Sequence, residues 1–218
     1  MERIYLSSAA TAVAPNAVQL SVPGWTIFAL FWMAQILALN LMAERTSGIQ
    51  ARIMASPVSS LGYVTGKTIP YLLLNFLQAV VMFAVGVWAL PWLGCPRLAV
   101  TGVPALALLT LAVSLVSLAF GLLLATLLRS TLLVAVLSAA LLIIMGIAGG
   151  IMVPKSLMPP IMQRLSLLVP QGWALEGYLD ILVRGTSAGH VLPKVGALLG
   201  FAALPLFLVL WRRRARRE

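Results

Sequence analysis

Apolar residues run along this chain in five long blocks, roughly 25–43, 68–93, 104–128, 132–153 and 195–211, and no block contains a charged residue. A helix rises about 1.5 Å per residue, so blocks of this length can cross a hydrocarbon layer about 30 Å thick. Two polar connections stand out between them, 44–67 and 154–194. The pattern predicts an all-α, polytopic helical membrane protein with about five transmembrane helices. It adds a helix in the first connection and a re-entrant helical hairpin in the second.

Composition excludes the soluble alternative. Hydrophobic residues fill 61% of the 218 positions, charged residues 9%, and the mean hydropathy is +1.05. A soluble domain of this size could not hide so much apolar surface from water. The net charge of +10 would suggest nucleic acid in a soluble protein, but its placement reads as a topology signal. Arg212, Arg213, Arg214, Arg216 and Arg217 follow the last block directly, and basic residues beside a span are held on the cytoplasmic side. Five crossings then put the N-terminus outside. Arg45, Arg52, Lys67 and Arg129 fall inside with the tail, 9 basic residues in all, against 6 outside (Arg3, Arg97, Lys155, Arg164, Arg184, Lys194). The expected layout is an outer N-terminal segment at 1–24, a single membrane domain within 1–218, and a basic cytoplasmic tail at 212–218 that touches anionic lipid of the bilayer. No nucleic-acid partner is expected.

Little in the chain suits catalysis. Cys95 is the only cysteine, which rules out an intramolecular disulfide and a CxxC metal site; its expected place is the outer loop from Gly94 to Pro104, as a partly buried small residue. His190, the only histidine, reads as an exposed loop residue, and Asp180 is the only aspartate, so a paired-aspartate site cannot be built. No GxSxG elbow is present. Neither catalytic residues nor metal ligands are expected. The run Gly62-Tyr63-Val64-Thr65-Gly66-Lys67-Thr68 resembles a phosphate-binding loop, but Leu61 stands where the first glycine is required and no strand precedes it. Lys67 reads as a lysine snorkelling to the inner interface.

The polar residues within the blocks are uncharged: Gln35, Asn40, Asn75, Gln78, Ser114, Ser117 and Ser138. Asn75 and Gln78, three apart, share a helical face. Two readings stay open for them, hydrogen bonding between helices or the lining of a transport pathway. Gly146 and Gly150 form a GxxxG suited to close helix packing.

In the first connection, a step of about 100° per residue brings Arg45, Ile49, Arg52 and Ser56 to one side of a helix. That mixed face suits a protein partner better than lipid. Pro57 and Gly62 are expected to break the helix before the next span. In the second connection, Pro159, Pro160 and Pro170 divide two short apolar pieces, and Pro154 to Pro170 is expected to dip into the outer leaflet and return. Over Gln171–Arg184 the charges Glu176, Asp180 and Arg184 recur every four residues. They predict an interfacial helix with a charged stripe and a surface Asp180–Arg184 pair. Ala174, Leu175, Tyr178, Ile181 and Leu182 fall on its other side, with Trp173 near the boundary.

Val22-Pro23-Gly24 opening a span, Glu44-Arg45-Thr46-Ser47-Gly48 at its inner end, then Ser56-Pro57, Gly66-Lys67 and Gln78, form an ordered set. With Pro154, Met158-Pro159-Pro160 and Pro170-Gln171-Gly172-Trp173-Ala174 downstream, the order and spacing resemble the membrane permeases of type-2 ATP-binding cassette exporters over residues 22–211. The resemblance implies a permease subunit of an ATP-driven exporter in a bacterial plasma (inner) membrane. It implies a cytoplasmic ATPase subunit as partner, a second permease in a homodimer or heterodimer, and ATP and Mg bound in the ATPase, with no cofactor on this chain. Glu44–Ser56 would be the coupling helix, with Glu44, Arg45 and Gly48 at motif positions and Arg52, Ser56 and Pro57 beside them. The 154–184 hairpin would form an outer gate. Family members usually have six spans, so this chain reads as lacking the first. Gly48 is followed by Ile49-Gln50 where the family often carries Gly-Thr and an acidic residue. A non-transporting membrane scaffold or regulatory subunit is the alternative.

Overall fold

Asn16 starts the first helix. Its side-chain oxygen accepts the Gln19 N–H at 2.8 Å, and the Gln19 side chain accepts the Asn16 N–H at 2.9 Å, a reciprocal cap that satisfies two orphan donors. Helix α1 therefore runs Ala17–Thr46, with Pro23 inside it, and begins before the Val22-Pro23-Gly24 that was expected to open the span. The computed structural model describes residues 15–57, 59–153, 157–186 and 188–214. Pro154, Lys155, the first fourteen residues and the last arginines of the tail lie outside that set.

Gly48 turns the chain with φ of 75°, and α2 follows at Ile49–Ala55. Helix α3, Ser60–Ala84, is capped by Ser59, whose hydroxyl accepts the Gly62 N–H at 3.0 Å. Gly62 thus sits in the first turn of α3 and does not break it. The span widens into a π-helical turn at Val85–Ala89 and ends at Trp92. Then come α4 (Val103–Leu127), α5 (Thr131–Gly149), α6 (Pro160–Leu165), α7 (Pro170–Leu182) and α8 (Ala188–Arg214). Helix α8 starts well before the expected 195 and contains His190, which is exposed but helical. Among the described residues there is no strand. Five helices, α1, α3 through Trp92, α4, α5 and α8, are long and apolar enough to cross a membrane. The fold is an all-helical bundle.

Helix α4 occupies the middle, packed along α1 and α8. Its approach to α1 depends on Gly121: a Cβ there would lie 2.5 Å from the Ala34 carbonyl oxygen. One turn away the Ser117 hydroxyl donates to the Leu30 carbonyl at 2.6 Å. Small and hydroxyl residues at such crossings replace the hydrophobic drive that lipid cannot supply. Two apolar clusters fill the bundle. One lies toward the hairpin end and includes Ile27, Leu109, Val113 and Tyr178; the other lies toward Glu44 and includes Leu37, Met42, Leu122 and Val134. The outer faces of α3 (Leu73, Leu77, Val80, Trp88) and α5 (Leu132, Val136, Ile144) are exposed apolar surface.

Helix α7 corrects the expectation that Asp180 lies at the surface in an exposed charged stripe. Pro170, Gln171, Gly172, Ala174, Leu175 and every residue from Gly177 to Leu182 are buried, among α1, α4, α5 and α8. Its glycines make this possible. A Cβ on Gly172 would meet the Ser166 carbonyl at 2.2 Å, and one on Gly177 would meet the Leu109 side chain at 2.7 Å. From the other side, Gly149 of α5 leaves only 2.9 Å to Gln171 and Gly172. The small-residue motif of α5 is thus used at Gly146 and Gly149, whereas Gly150 ends the helix with φ of 88°.

Candidate functional site

At one end of the bundle, the residues around Glu44 form a braced turn. Glu44 in the last turn of α1 pairs with Lys67 of α3, and the Tyr63 hydroxyl donates to the other Glu44 oxygen at 3.3 Å. Lys67 is therefore an ion-pair partner, not merely a snorkelling lysine. The pair joins α1 to α3 through two partly exposed side chains (30% and 20%). Beside the pair a cavity of about 190 Å³ is lined by Leu37, Asn40, Gly66, Pro70 and Tyr71. Asn40 closes one wall by donating to the Tyr71 hydroxyl at 2.6 Å.

Arg45 points inward. Its guanidinium donates to the Gln50 side chain at 3.3 Å and to the Leu128 carbonyl at 3.3 Å, so it satisfies an orphan carbonyl at the end of α4. The expected face of Arg45, Ile49, Arg52 and Ser56 does not exist as one surface, because Gly48 breaks the helix between Arg45 and Ile49. Ile49 and Arg52 are exposed on α2, Ser56 closes α2 by donating to the Ile53 carbonyl at 2.6 Å, and Pro57 is exposed beyond it. The segment Gly62–Thr68 is continuous helix, so it offers no loop of free N–H groups.

At mid-depth the uncharged polar residues divide into two groups. Gln35 donates to the Ala135 carbonyl of α5 at 2.8 Å and Ser117 to that of Leu30, both between helices; Ser138 is satisfied within its own helix. Asn75 is different. It is completely buried, and neither atom of its carboxamide has a hydrogen-bond partner. The Gln78 and Ser114 side-chain oxygens are also buried and unpartnered. Such groups are rare because each costs about 1–3 kcal/mol when left unpaired. For Asn75 and Gln78, the hydrogen-bonding reading finds no bond in this conformation.

At the opposite end lies the hairpin. Pro159 and Pro160 open α6, and Pro170 opens α7, positions where a missing N–H costs nothing. Trp173 donates to the Leu167 carbonyl at 2.8 Å and ties α7 to the preceding turn. Leu157, Ile161 and Leu168 are exposed, at 75%, 70% and 70%, and form a strongly apolar rim at this end of the bundle. Asp180 is buried, with pairs to Arg184 and to Lys194 of α8; Arg184 also reaches Glu176 at 3.1 Å. The expected Asp180–Arg184 pair is present, but Asp180 is not a surface residue. Its partner Lys194 comes from another helix and was not anticipated; only contact between elements reveals it. Tyr178, expected on the apolar side of α7, shares a 2.8 Å hydrogen bond with Thr110 and packs on Phe83. Burial raises its phenol above the ordinary tyrosine range, so it stays protonated. Cys95, expected to be partly buried, is an exposed free thiol. Among the described residues no cluster could hold a metal ion.

The family model for the ABC-2 family transporter protein matches residues 4–211. A relative, the linearmycin resistance permease protein LnrN of Bacillus subtilis (strain 168), is 25% identical over 167 residues. The match covers 76% of this chain and 41% of that one, so the chain spans less than half of the relative's length. No solved structure matches.

Proposed function

This chain belongs to the ABC-2 transporter family, and from that premise we propose that it is the permease subunit of an exporter powered by a separate cytoplasmic ATPase. One observation carries the reading. A short exposed helix, α2, is held at the end of two spans by the Glu44–Lys67 pair and by Arg45 bound to the Leu128 carbonyl. A lever has to be rigid at its base and open on its face, and α2 meets both conditions. ATPase movement against α2 would be passed directly to α1, α3 and α4. In this reading α2 and the basic tail are cytoplasmic, the hairpin is external, and the outward direction agrees with the word resistance in the relative's name. A second permease subunit completes the transporter, and ATP and Mg bind the ATPase.

Asn75, Gln78 and Ser114 are the proposed polar positions of the pathway. Buried groups without partners in one conformation can be satisfied in another, or by a polar part of the cargo. The test is co-purification with a cassette ATPase followed by ATP-driven transport in inverted vesicles. ATPase capture that is unchanged when α2 is replaced by a Gly/Ser segment of equal length would exclude α2 as the docking element.

A further inference from the structure

At the hairpin end, the connection after Trp92 folds back on the π-helical turn of α3. Leu98 is buried and its N–H donates to the Gly86 carbonyl at 3.2 Å. Gly86 makes the approach possible: a Cβ there would lie 3.0 Å from the Leu98 side chain and 3.2 Å from Val22. Beside this strap is a pocket of about 460 Å³ lined by Val87, Arg97, Leu98, Ala99 and Val100. Arg97 is its only charged wall and is exposed. Among the described residues the carboxylates are already engaged, Glu44 with Lys67 and Glu176 and Asp180 with Arg184 and Lys194. Arg97 pairs with none of these, so its exposed guanidinium is open to an anion.

The surroundings identify that anion. Trp88 and Trp92 flank the strap at 65% and 92% exposure, as expected of indoles in a membrane interface belt. Below Trp88 the exposed strip Leu77, Val80 and Val81 continues down α3, on the same face by helical spacing. A guanidinium at headgroup level, two interfacial indoles and an apolar strip leading inward match one amphiphile. We infer that this pocket binds an anionic phospholipid, its phosphodiester on Arg97 and an acyl chain along α3. Arginine suits a phosphate because its fork offers parallel donors. The π-helical turn, a feature often found at functional sites, sets Val87 as the pocket wall.

The experiment uses the full chain purified in mild detergent with equal phosphatidylglycerol and phosphatidylcholine, with retained lipid counted by native mass spectrometry. Phosphatidylglycerol should be retained preferentially. Arg97→Gln should lower that retention roughly fivefold, the worth of one basic residue near an anionic surface, and Arg97→Lys should keep most of it. Arg164→Gln, which removes the same charge from exposed α6, should change nothing. Equal retention of both lipids, no effect of Arg97→Gln, or an equal loss in Arg164→Gln would overturn the site. As an independent readout, a polarity-sensitive dye on Cys95 should respond to phosphatidylglycerol in nanodiscs. An equal response to soluble glycerol phosphate would reject the lipid and assign the pocket to a free phosphate.

Discussion

Ser117 and Ser114 sit one turn apart on α4, both fully buried, yet only Ser117 has found a partner outside its own helix, the Leu30 carbonyl. Their alanine variants should therefore differ. Ser117→Ala should cost about 1 kcal/mol, the usual worth of an interhelical bond in a membrane protein. Ser114→Ala, which removes an unpaired hydroxyl, should be neutral or slightly stabilising. Thermal unfolding of both in detergent checks this; equal losses would mean that Ser114 has a partner in the folded ensemble. Asn75→Leu extends the logic. It removes two unpaired buried atoms and should raise stability by about 1–2 kcal/mol, while transport falls if Asn75 belongs to the pathway. Residue types alone marked all of these positions as polar and within spans. They could not tell the paired from the unpaired, because that depends on which backbone carbonyl faces each side chain.

Elements were legible in proportion to their isolation from charge. Five charge-free blocks became five long apolar helices, since length and composition suffice when lipid is the solvent. Asp180 was misread as a surface residue because Glu176, Asp180 and Arg184 at four-residue intervals imitate an exposed charged stripe. The neighbour that changes the reading, Lys194, arrives from α8. Removing one partner of a buried charge leaves it less compensated, and Lys194, 18% exposed, is the more sheltered of the two cations on Asp180. Lys194→Met should thus destabilise the protein markedly, whereas Arg184→Met, on a side chain 51% exposed, should cost under about 1 kcal/mol. Glycines show the same dependence on neighbours. Gly121→Ala would force α4 off Ala34, while Gly200→Ala meets nothing within 4 Å and gains about 1 kcal/mol of helix propensity. Unfolding midpoints of the four variants should fall into two clear pairs.

At the scale of the whole molecule, the proposed coupling makes a demand that single contacts do not. The docking face must be changeable without loosening its base. A charge reversal at Arg45 cannot test this, since it would also abolish the contacts to Gln50 and Leu128 and confuse misfolding with lost docking. Arg52, exposed on α2, separates the two. Arg52→Glu should leave the unfolding midpoint unchanged and weaken ATPase capture tenfold or more, because like charges meeting across an interface cost several kcal/mol. Arg164→Glu, an equal charge change on exposed α6 near the hairpin, should affect neither. Lys67→Glu should do the reverse of Arg52→Glu: it sets two carboxylates together under α2, and the base loosens while the face keeps its charge. Stability should drop, and ATP turnover should become uncoupled from transport even where the ATPase still binds. Capture, turnover and transport measured on equal amounts of membrane-inserted protein distinguish these outcomes. If Arg52→Glu and Arg164→Glu are indistinguishable in capture, α2 is not the surface that the ATPase drives.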